Sequence, residues 1–338
     1  MGGNALSVPS VRLTVENYTR LENDLLAKLR EMYPQTKFAA VQSYRSKADF
    51  GDLDMLVGDS AFDSRKAAQA LGAVEVVPNG PVTSFGLRVN LAVQDHAGNL
   101  FQVDFIKVTS AEFEYAKGYF AFNDLGNLVG RVAHKMGLAH KHNGLYFYVR
   151  DGDYMFREIL LTEDYGAALS AMGYDPVRFA AGFDTPEDLF EYTASSPFFN
   201  RDIFLLDNRN AKSRVRDSKR KTYMQFLDWC EGRSVAGQHV FPKDKAAWLP
   251  RLYACFPGFQ AEHEKALADL AKARAVKAKF NGGMVGEWTG LANKELGLVM
   301  KSFRESFPTQ DALQDYVLAT DEDDLKSRVL ELKSQLFA

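Results

Sequence analysis

Two aspartates stand two residues apart in an apolar segment, and this spacing limits how the segment can fold. The segment reads Gly51-Asp52-Leu53-Asp54-Met55-Leu56. Its composition predicts a β-strand over residues 52–57, in which successive side chains point to opposite faces. Both carboxylates then share one face, and Leu53 and Met55 share the other. Because neighbouring carboxylates repel each other, we expect a cation to offset the repulsion.

A third carboxylate, Asp104, lies in the apolar segment 101–106, which also predicts a strand. A lone acid in such a strand is costly to bury unless it is paired or binds a metal ion. Magnesium takes oxygen ligands, commonly a few carboxylates together with substrate phosphates. The three aspartates therefore predict a two-metal phosphoryl-transfer site for Mg²⁺ or Mn²⁺. In this site Asp52 and Asp54 would bridge both ions, and Asp104 would bind the ion that activates the attacking hydroxyl. A solvated acid cluster is the alternative.

The first third of the chain alternates helix and strand patterns. Apolar residues spaced by three and four predict a helix over residues 18–32, which Pro34 ends. Short strands are predicted over residues 37–42, 74–77, 84–93 and 100–108, with a turn at Gly98-Asn99 and a short helix capped by Ser64. These elements predict a small mixed sheet with helices, and we expect a catalytic domain over residues 1–120.

The remainder of the chain, residues 121–338, is predicted to be mostly helical. A helix is expected over residues 124–136, and Asp151-Gly152 predicts a β-hairpin near residues 145–160. A final amphipathic helix is indicated by Leu325, Val329 and the leucines that follow. The predicted fold class is therefore α+β, with a small mixed-sheet domain followed by a helical region that binds substrate or RNA.

Composition excludes several classes of protein. Hydrophobic residues make up 46% of the 338 residues and charged residues 25%, which is typical of a folded globular chain. The net charge of −3 gives no overall basic field for nucleic acid. Two separated cysteines favour buried thiols over a disulfide framework or a zinc site. Because no apolar run reaches the length of a membrane span, we expect a cytoplasmic protein without a membrane partner.

The acidic segment resembles the catalytic core of the DNA polymerase β-type nucleotidyltransferase superfamily. That family has a Gly-Ser turn after a strand, then a Gly-Asp-apolar-Asp strand, and later a third aspartate between apolar residues. Here Ser43-Tyr44-Arg45, Gly51-Asp52-Leu53-Asp54 and Val103-Asp104-Phe105 match these three motifs in order. The match covers residues 36–110. Gln42 differs, because it stands where the family usually has glycine.

The resemblance implies roles for the residues of the turn. Ser43 would hold the β- and γ-phosphates of an NTP, with Arg45 or Lys47 adding positive charge. Gly51 would let the backbone approach the substrate closely. In the alternative interpretation these are ordinary turn residues.

A helix after the catalytic sheet often lines the nucleotide pocket in this superfamily. Arg131 and Lys135 are four residues apart on the predicted helix 124–136, so they face the same way. They are expected to contact phosphates or the primer strand. An exposed basic helix face is the competing interpretation.

The segment 209–221 has seven basic residues and one acid. Its basic residues near one helical stripe are Arg209, Lys212, Arg216, Lys219 and Arg220. A dense basic stripe near a nucleotidyl-transfer site suggests contact with a polynucleotide backbone. A charged helix covered by neighbouring acids is the alternative.

The glycine-rich segment 280–291 is weakly similar to the tail of the tRNA CCA-adding and poly(A) polymerase branch. The resemblance therefore implies transfer of an NMP from an NTP to an RNA 3′ end, such as that of tRNA. Two alternatives stay open. One is a nucleotidyltransferase that modifies a protein or a small molecule, and the other is an inactive nucleotidyltransferase fold that binds nucleic acid. The sequence does not indicate an oligomeric state.

Overall fold

A computed structural model describes residues 4–7, 10–89, 100–231 and 238–338 of the chain. The turn predicted at Gly98-Asn99 and the end of the predicted strand 84–93 lie outside the described residues. Ten strands and fifteen α-helices form over the described part. The strands are β1 Leu13–Thr14, β2 Lys37–Ala40, β3 Asp49–Phe50, β4 Asp52–Gly58, β5 Glu75–Asn79, β6 Val82–Arg88, β7 Leu100–Val108, β8 Leu138–Lys141, β9 Gly144–Asp151 and β10 Tyr154–Thr162.

The helices are distributed along the whole described chain and dominate its second half. They are α1 Val15–Met32, α2 Ser64–Ala70, α3 Phe113–Phe120, α4 Leu125–Lys135, α5 Tyr165–Ala171, α6 Pro176–Ala181, α7 Pro186–Ala194, α8 Ala211–Asp217, α9 Lys221–Glu231, α10 Leu249–Cys255, α11 Phe259–Lys279, α12 Gly282–Thr289, α13 Asn293–Glu305, α14 Gln310–Ala319 and α15 Glu322–Leu336. The predicted helices around residues 18–32 and 124–136 and at the end of the chain are confirmed.

A five-stranded mixed sheet forms the centre of the first third, in the order β2-β4-β7-β6-β5. β4 and β7 run parallel, whereas the β2–β4, β6–β7 and β5–β6 pairs are antiparallel. A parallel pair needs a crossover connection, and here the segment between β4 and β7 contains α2 and the β5–β6 hairpin. The mixed sheet predicted from the sequence is confirmed.

One face of this sheet is covered by α1. Leu25 and Leu29 of α1 pack with Leu53 and Met55 of β4 in the main hydrophobic core. Thr14 caps the helix, because its side chain accepts a hydrogen bond from Asn17 N. At α2 the predicted cap was wrong by one residue, since Asp63, not Ser64, accepts the backbone N–H bonds of the first turn.

The chain separates into two units, each with its own internal packing. The first comprises the described residues of Met1–Tyr148 and Leu160–Pro257, and the second comprises Val149–Ile159 and Gly258–Ala338. Val299, Phe303 and Val329 belong to the core of the second unit. Residues 121–148 thus pack in the same unit as the five-stranded sheet. The division between residues 120 and 121 was predicted from the change in sequence pattern near residue 124, and it stays a prediction.

The fold is α+β, with a mixed sheet and a helical C-terminal region. The predicted hairpin is formed by β9 and β10 and turns at Gly152, whose φ of 60° suits glycine. In the described chain, every helix is too short or too polar to cross a membrane. Whether the five-stranded sheet has the specific nucleotidyltransferase fold stays a prediction.

Candidate active site

Three aspartates meet on one face of the five-stranded sheet. In β4, Leu53 and Met55 are fully buried, whereas Asp52 and Asp54 are half-buried on the opposite face. The predicted shared face of the two carboxylates is therefore confirmed. Asp104 is the register partner of Asp54 in the parallel β4–β7 pair. Directly paired residues of neighbouring strands point to the same face, so all three carboxylates lie on one surface.

The close approach of these carboxylates disfavours their ionised forms. Burial and the charges of Asp52 and Asp104 raise the pKa of Asp54 to about 7, although Lys47 acts in the opposite direction. Burial also raises the pKa of Asp104, while hydrogen bonds from Ser84 and Gln102 partly offset the effect. The ionised carboxylates are therefore destabilised in this position, and either a proton or a nearby positive charge would stabilise them.

Gln102 holds Asp104 in a fixed orientation. Its Nε2 donates hydrogen bonds to Asp104 Oδ1 at 3.0 Å and Oδ2 at 2.9 Å. Its Oε1 accepts a bond from Ala5 N at 2.8 Å, so the amide cannot rotate without losing partners. Gln102 is only 3% exposed. Sequence reasoning missed this residue, although a polar side chain two positions before Asp104 in an apolar strand is a usable signal.

Ser10 connects the two strands that bear the acids. Its hydroxyl donates to the carbonyl of Gly51 at 2.9 Å and accepts from Gln102 N at 3.0 Å. Gly51, which was predicted to let the backbone approach the substrate closely, is buried and directly precedes β4. The hydrogen bonds of Ser10 therefore fix the N-terminal end of β4 relative to β7.

Lys47 lies within electrostatic range of the acidic pair, and Ser43 lies next to Lys47. Lys47 Nζ is 3.3 Å from Ser43 Oγ and 4.4 Å from the centre of the Phe50 ring. Burial lowers the pKa of Lys47, whereas Asp52 and Asp54 raise it. The structure thus brings the ammonium group of Lys47 near the carboxylates, with the Ser43 hydroxyl bonded to it.

The side chain of Arg45 bonds to residues 181–184. Its Nη1 pairs with Asp184 Oδ1 at 2.6 Å, and its Nη2 bonds to the carbonyl of Ala181. Its backbone N–H also donates to the carbonyl of Phe183 at 3.0 Å. Arg45 therefore connects the turn to the end of α6 and to the segment that follows it. Of the two cations that the resemblance offered, Lys47 is the one at the acids.

The two basic residues of α4 are not brought to the acids. Arg131 donates from Nε and Nη2 to the carbonyl of Ile203, at 3.2 and 2.9 Å. It thereby holds α4 against the 3₁₀ turn Arg201–Ile203. Lys135 is half-buried in the last turn of α4, and among the described residues no hydrogen bond or ion pair joins it to an aspartate of the site.

The arginines of the basic segment are bonded to neighbouring residues. Arg209 and Asp217 form a pair at 2.6 Å whose side chains are 3% and 0% exposed. Arg216 bonds to Asp217 at 2.8 Å and to Asn127 Oδ1 at 2.9 Å, and Arg220 pairs with Asp124. These arginines tie α8 and the start of α9 to α4.

The lysines of the same segment are differently placed. Lys212, Lys219 and Lys221 are exposed, and within the described residues none of them forms an ion pair.

Asp49 lies in β3 shortly before Gly51. Its pKa is lowered by Arg12 and, to a lesser degree, by Lys47 and Lys221. Lys221, which the stripe prediction did not include, therefore lies within electrostatic range of the loop that leads into β4.

Two further residues near the site were missed by sequence reasoning. Tyr18 of α1 stacks on Phe50, with ring centres 3.8 Å apart. Burial raises the pKa of Tyr18, and the charges of Glu22, Asp54 and Asp52 add to the effect. Arg12 pairs with Asp49 at 2.5 Å and also lies within electrostatic range of Asp52. Neither residue has a sequence pattern that distinguishes it from ordinary helix or surface residues.

The three aspartates share a face without forming a complete metal-binding group. Across the described ranges, no group of three or more His, Cys, Asp or Glu side chains is placed to hold a metal ion by itself. Such a set fits Mg²⁺, because Mg²⁺ usually takes one or two carboxylates together with water and substrate phosphates.

Comparison with known proteins gives no family for this chain. No protein-family model matches it, and no curated protein is significantly similar to it. Function is therefore inferred from the residues and their placement.

The raised pKa of Asp54 predicts that metal-free protein loses stability with rising pH. The folded chain keeps the Asp54 proton to about pH 7 and the unfolded chain releases it near its ordinary pKa of 3.8, so stability falls across this interval. Asp54→Asn removes the carboxyl group that causes this decrease in stability. The variant should therefore raise the free energy of unfolding by about 2–4 kcal/mol at about pH 8. At about pH 4 the effect should be small. Denaturant unfolding in EDTA measures both, and equal effects at the two pH values would contradict the assignment.

The burial of Asp217 predicts that it is a structural residue. Asp217→Ala leaves the buried Arg209 guanidinium without its carboxylate, and we expect a loss of about 3–5 kcal/mol in the free energy of unfolding. Asp207→Ala, an exposed acid in the same region, is the control and should change stability little. Urea unfolding followed by circular dichroism measures both variants. A loss below about 1 kcal/mol for Asp217→Ala would contradict the structural role.

Proposed function

We propose that this chain is a Mg²⁺-dependent nucleotidyltransferase of the polymerase β-type superfamily, which transfers an NMP from an NTP to a hydroxyl group. The observation that supports it most is the in-register pairing of Asp54 on β4 with Asp104 on β7, with Asp52 on the same face. Ser43 and Lys47 beside these acids offer a hydroxyl and an ammonium group to phosphates. This combination of residues matches the needs of phosphoryl transfer from a triphosphate.

Each residue of the site has a physical task in this proposal. Asp52, Asp54 and Asp104 would hold Mg²⁺, which when bound supplies Lewis-acid stabilisation of phosphoryl oxygens. Lys47 and Ser43 would bind the outer phosphates of the NTP. Gln102 would keep Asp104 in its orientation before substrate arrives, because the amide is buried and bonded at both ends.

The acceptor that the surface favours is a polynucleotide, and we propose an RNA 3′ end. Lys212, Lys219 and Lys221 are exposed on one short segment. The charge of Lys221 also lowers the pKa of Asp49, which lies shortly before β4. Ammonium groups without an internal partner are available to phosphates of a nucleic-acid backbone. Arg209, Arg216 and Arg220 instead bond to neighbours of the same unit, so the lysines are the contacts that we propose.

The transfer reaction predicts a specific loss of activity in the aspartate variants. Purified protein would be incubated with total cellular RNA, Mg²⁺ and each α-labelled NTP in turn. We expect label in a discrete RNA band, and we expect Asp54→Ala or Asp104→Ala to reduce it by roughly 100-fold or more. Asp153→Ala, an exposed acid in the turn of the hairpin, is the matched control and should keep full activity.

Three outcomes of this assay differ in meaning. Full activity in either aspartate variant would overturn the assignment of the site. Label that enters protein or a small molecule, and not RNA, would keep the reaction and replace the acceptor. Salt-dependent RNA binding without transfer to any acceptor would instead indicate an inactive binding protein.

Replacing the exposed lysines should weaken RNA binding and leave NTP binding unchanged. Replacing Lys212, Lys219 and Lys221 by Glu removes up to three phosphate contacts, so RNA should bind more weakly and with a shallower salt dependence. The slope of log K against log salt should fall by roughly 0.7 for each lost contact with single-stranded RNA. The control replaces the exposed Lys265, Lys294 and Lys326 by Glu, which changes the net charge equally. Equal losses in the two triple variants would remove the segment from the proposal.

A further inference from the structure

A cavity of ≈ 380 Å³ opens next to the candidate active site. It lies along the edge strand β2 and the turn that follows it, with α1 as another wall. Ser43 and Lys47, which we propose as phosphate contacts, are part of its lining. A ligand whose phosphates contact these two residues therefore has space for its remaining part in this cavity. Its volume lies within the range of about 300–1,000 Å³ that is usual for small-molecule sites.

Aromatic side chains form a flat part of the wall. Tyr18 and Phe50 both line the cavity, but both are buried and their rings stack on each other, so these faces are not open to a ligand. Tyr44 lines it as well. The half-buried Tyr44 ring in the phosphate-binding turn is therefore the aromatic surface that suits a planar ring such as a nucleobase, because every base has a face that can stack.

The positive charges of the lining already have partners. Lys47 contacts Ser43 and the Phe50 ring and is close to the acids. Arg45 pairs with Asp184 at 2.6 Å, and Lys117 pairs with Glu114 at 3.1 Å. Arg45 and Lys117 are therefore already neutralised by carboxylates, and Lys47 is the cation of the lining that we propose for the phosphates.

The carboxylate of Glu22 is the exception among the charged lining groups. Glu22 is half-buried on α1, and burial raises its pKa. Over the described residues it has no hydrogen bond and no ion pair. A partly desolvated carboxylate without donors is complementary to a ligand that brings N–H groups.

Only one of the four common bases presents two adjacent N–H donors on its pairing edge. Guanine offers N1–H beside the N2 amino group, whereas adenine and cytosine place an acceptor next to the amino group. Uracil has a single N–H between two carbonyls. The two oxygens of an ionised carboxylate accept two parallel N–H bonds, so guanine gives the best match.

We propose that this cavity binds the base of the NTP and that Glu22 selects guanine. The inference rests on the proposed nucleotidyl transfer and adds the determinant of its nucleotide preference. Gln42 lines the same cavity and replaces the glycine usual at this position, so its amide is a second polar group within reach of the base.

Competition binding tests the proposal without relying on turnover. The four NTPs would displace a fluorescent NTP analogue from the protein in the presence of Mg²⁺. We expect GTP to bind most tightly, and Glu22→Gln to weaken GTP by roughly 10-fold or more while it changes UTP little. Glu31→Gln, an exposed residue near the end of the same helix, is the matched control and should keep the preference. Glu22→Ala provides a second variant if Glu22→Gln does not fold.

The outcomes separate this inference from the proposed function. A preference for another base in the wild-type protein, or a GTP preference unchanged in both Glu22 variants, would overturn the role of Glu22 and leave nucleotidyl transfer intact. No binding of any NTP by folded protein, together with no label transfer, would overturn the proposed function itself. The labelled-NTP assay gives an independent check, because GTP should then be the NTP that labels the acceptor most efficiently.

Discussion

The rest of the site depends on the repulsion among three carboxylates on one face of a sheet. Asp54 lies between Asp52 on its own strand and Asp104 on the neighbouring strand, and burial removes much of the water that would screen their charges. A chain selected only to fold would gain stability from neutral side chains at these positions. Lys47, Ser84 and Gln102 reduce the cost without removing it, since the pKa of Asp54 is still raised to about 7. The arrangement is thus electrostatically unfavourable by itself, and this is the basis of the cation site that we propose.

The local part of this site could be predicted from the sequence, and the long-range part could not. Alternation along one strand places Asp52 and Asp54 on the same face whatever the surrounding fold, so that prediction needed no partner strand. The pairing of Asp54 with Asp104 depends on the register of two strands far apart in the sequence, which periodicity does not specify. The position of Arg45 depends on Asp184, which is 139 residues away. The turn motif alone therefore did not distinguish it from Lys47.

The basic segment shows a second limit of sequence patterns. A helical stripe treats arginine and lysine as equal positive charges, but the structure separates them. The planar guanidinium groups of Arg209 and Arg216 both bond to the buried Asp217, because several donors in a fixed plane suit a carboxylate. The lysines keep compact, strongly hydrated charges at the surface. Arg216 remains exposed although it is bonded, so bonding and not burial distinguishes it from the lysines. The contact of this segment with nucleic acid stays a prediction.

If the proposed function is correct, nucleotide preference has to come from outside the acids and the phosphate turn. The aspartates, Lys47 and Ser43 would contact the triphosphate, which is identical in every NTP, so they cannot tell one base from another. Discrimination requires polar groups that reach the base and lose a hydrogen bond when the wrong base is present. Glu22 meets this requirement because it is half-buried, lines the cavity next to Lys47 and has no donor within the described residues. Its carboxylate offers the two acceptors that the pairing edge of guanine would satisfy.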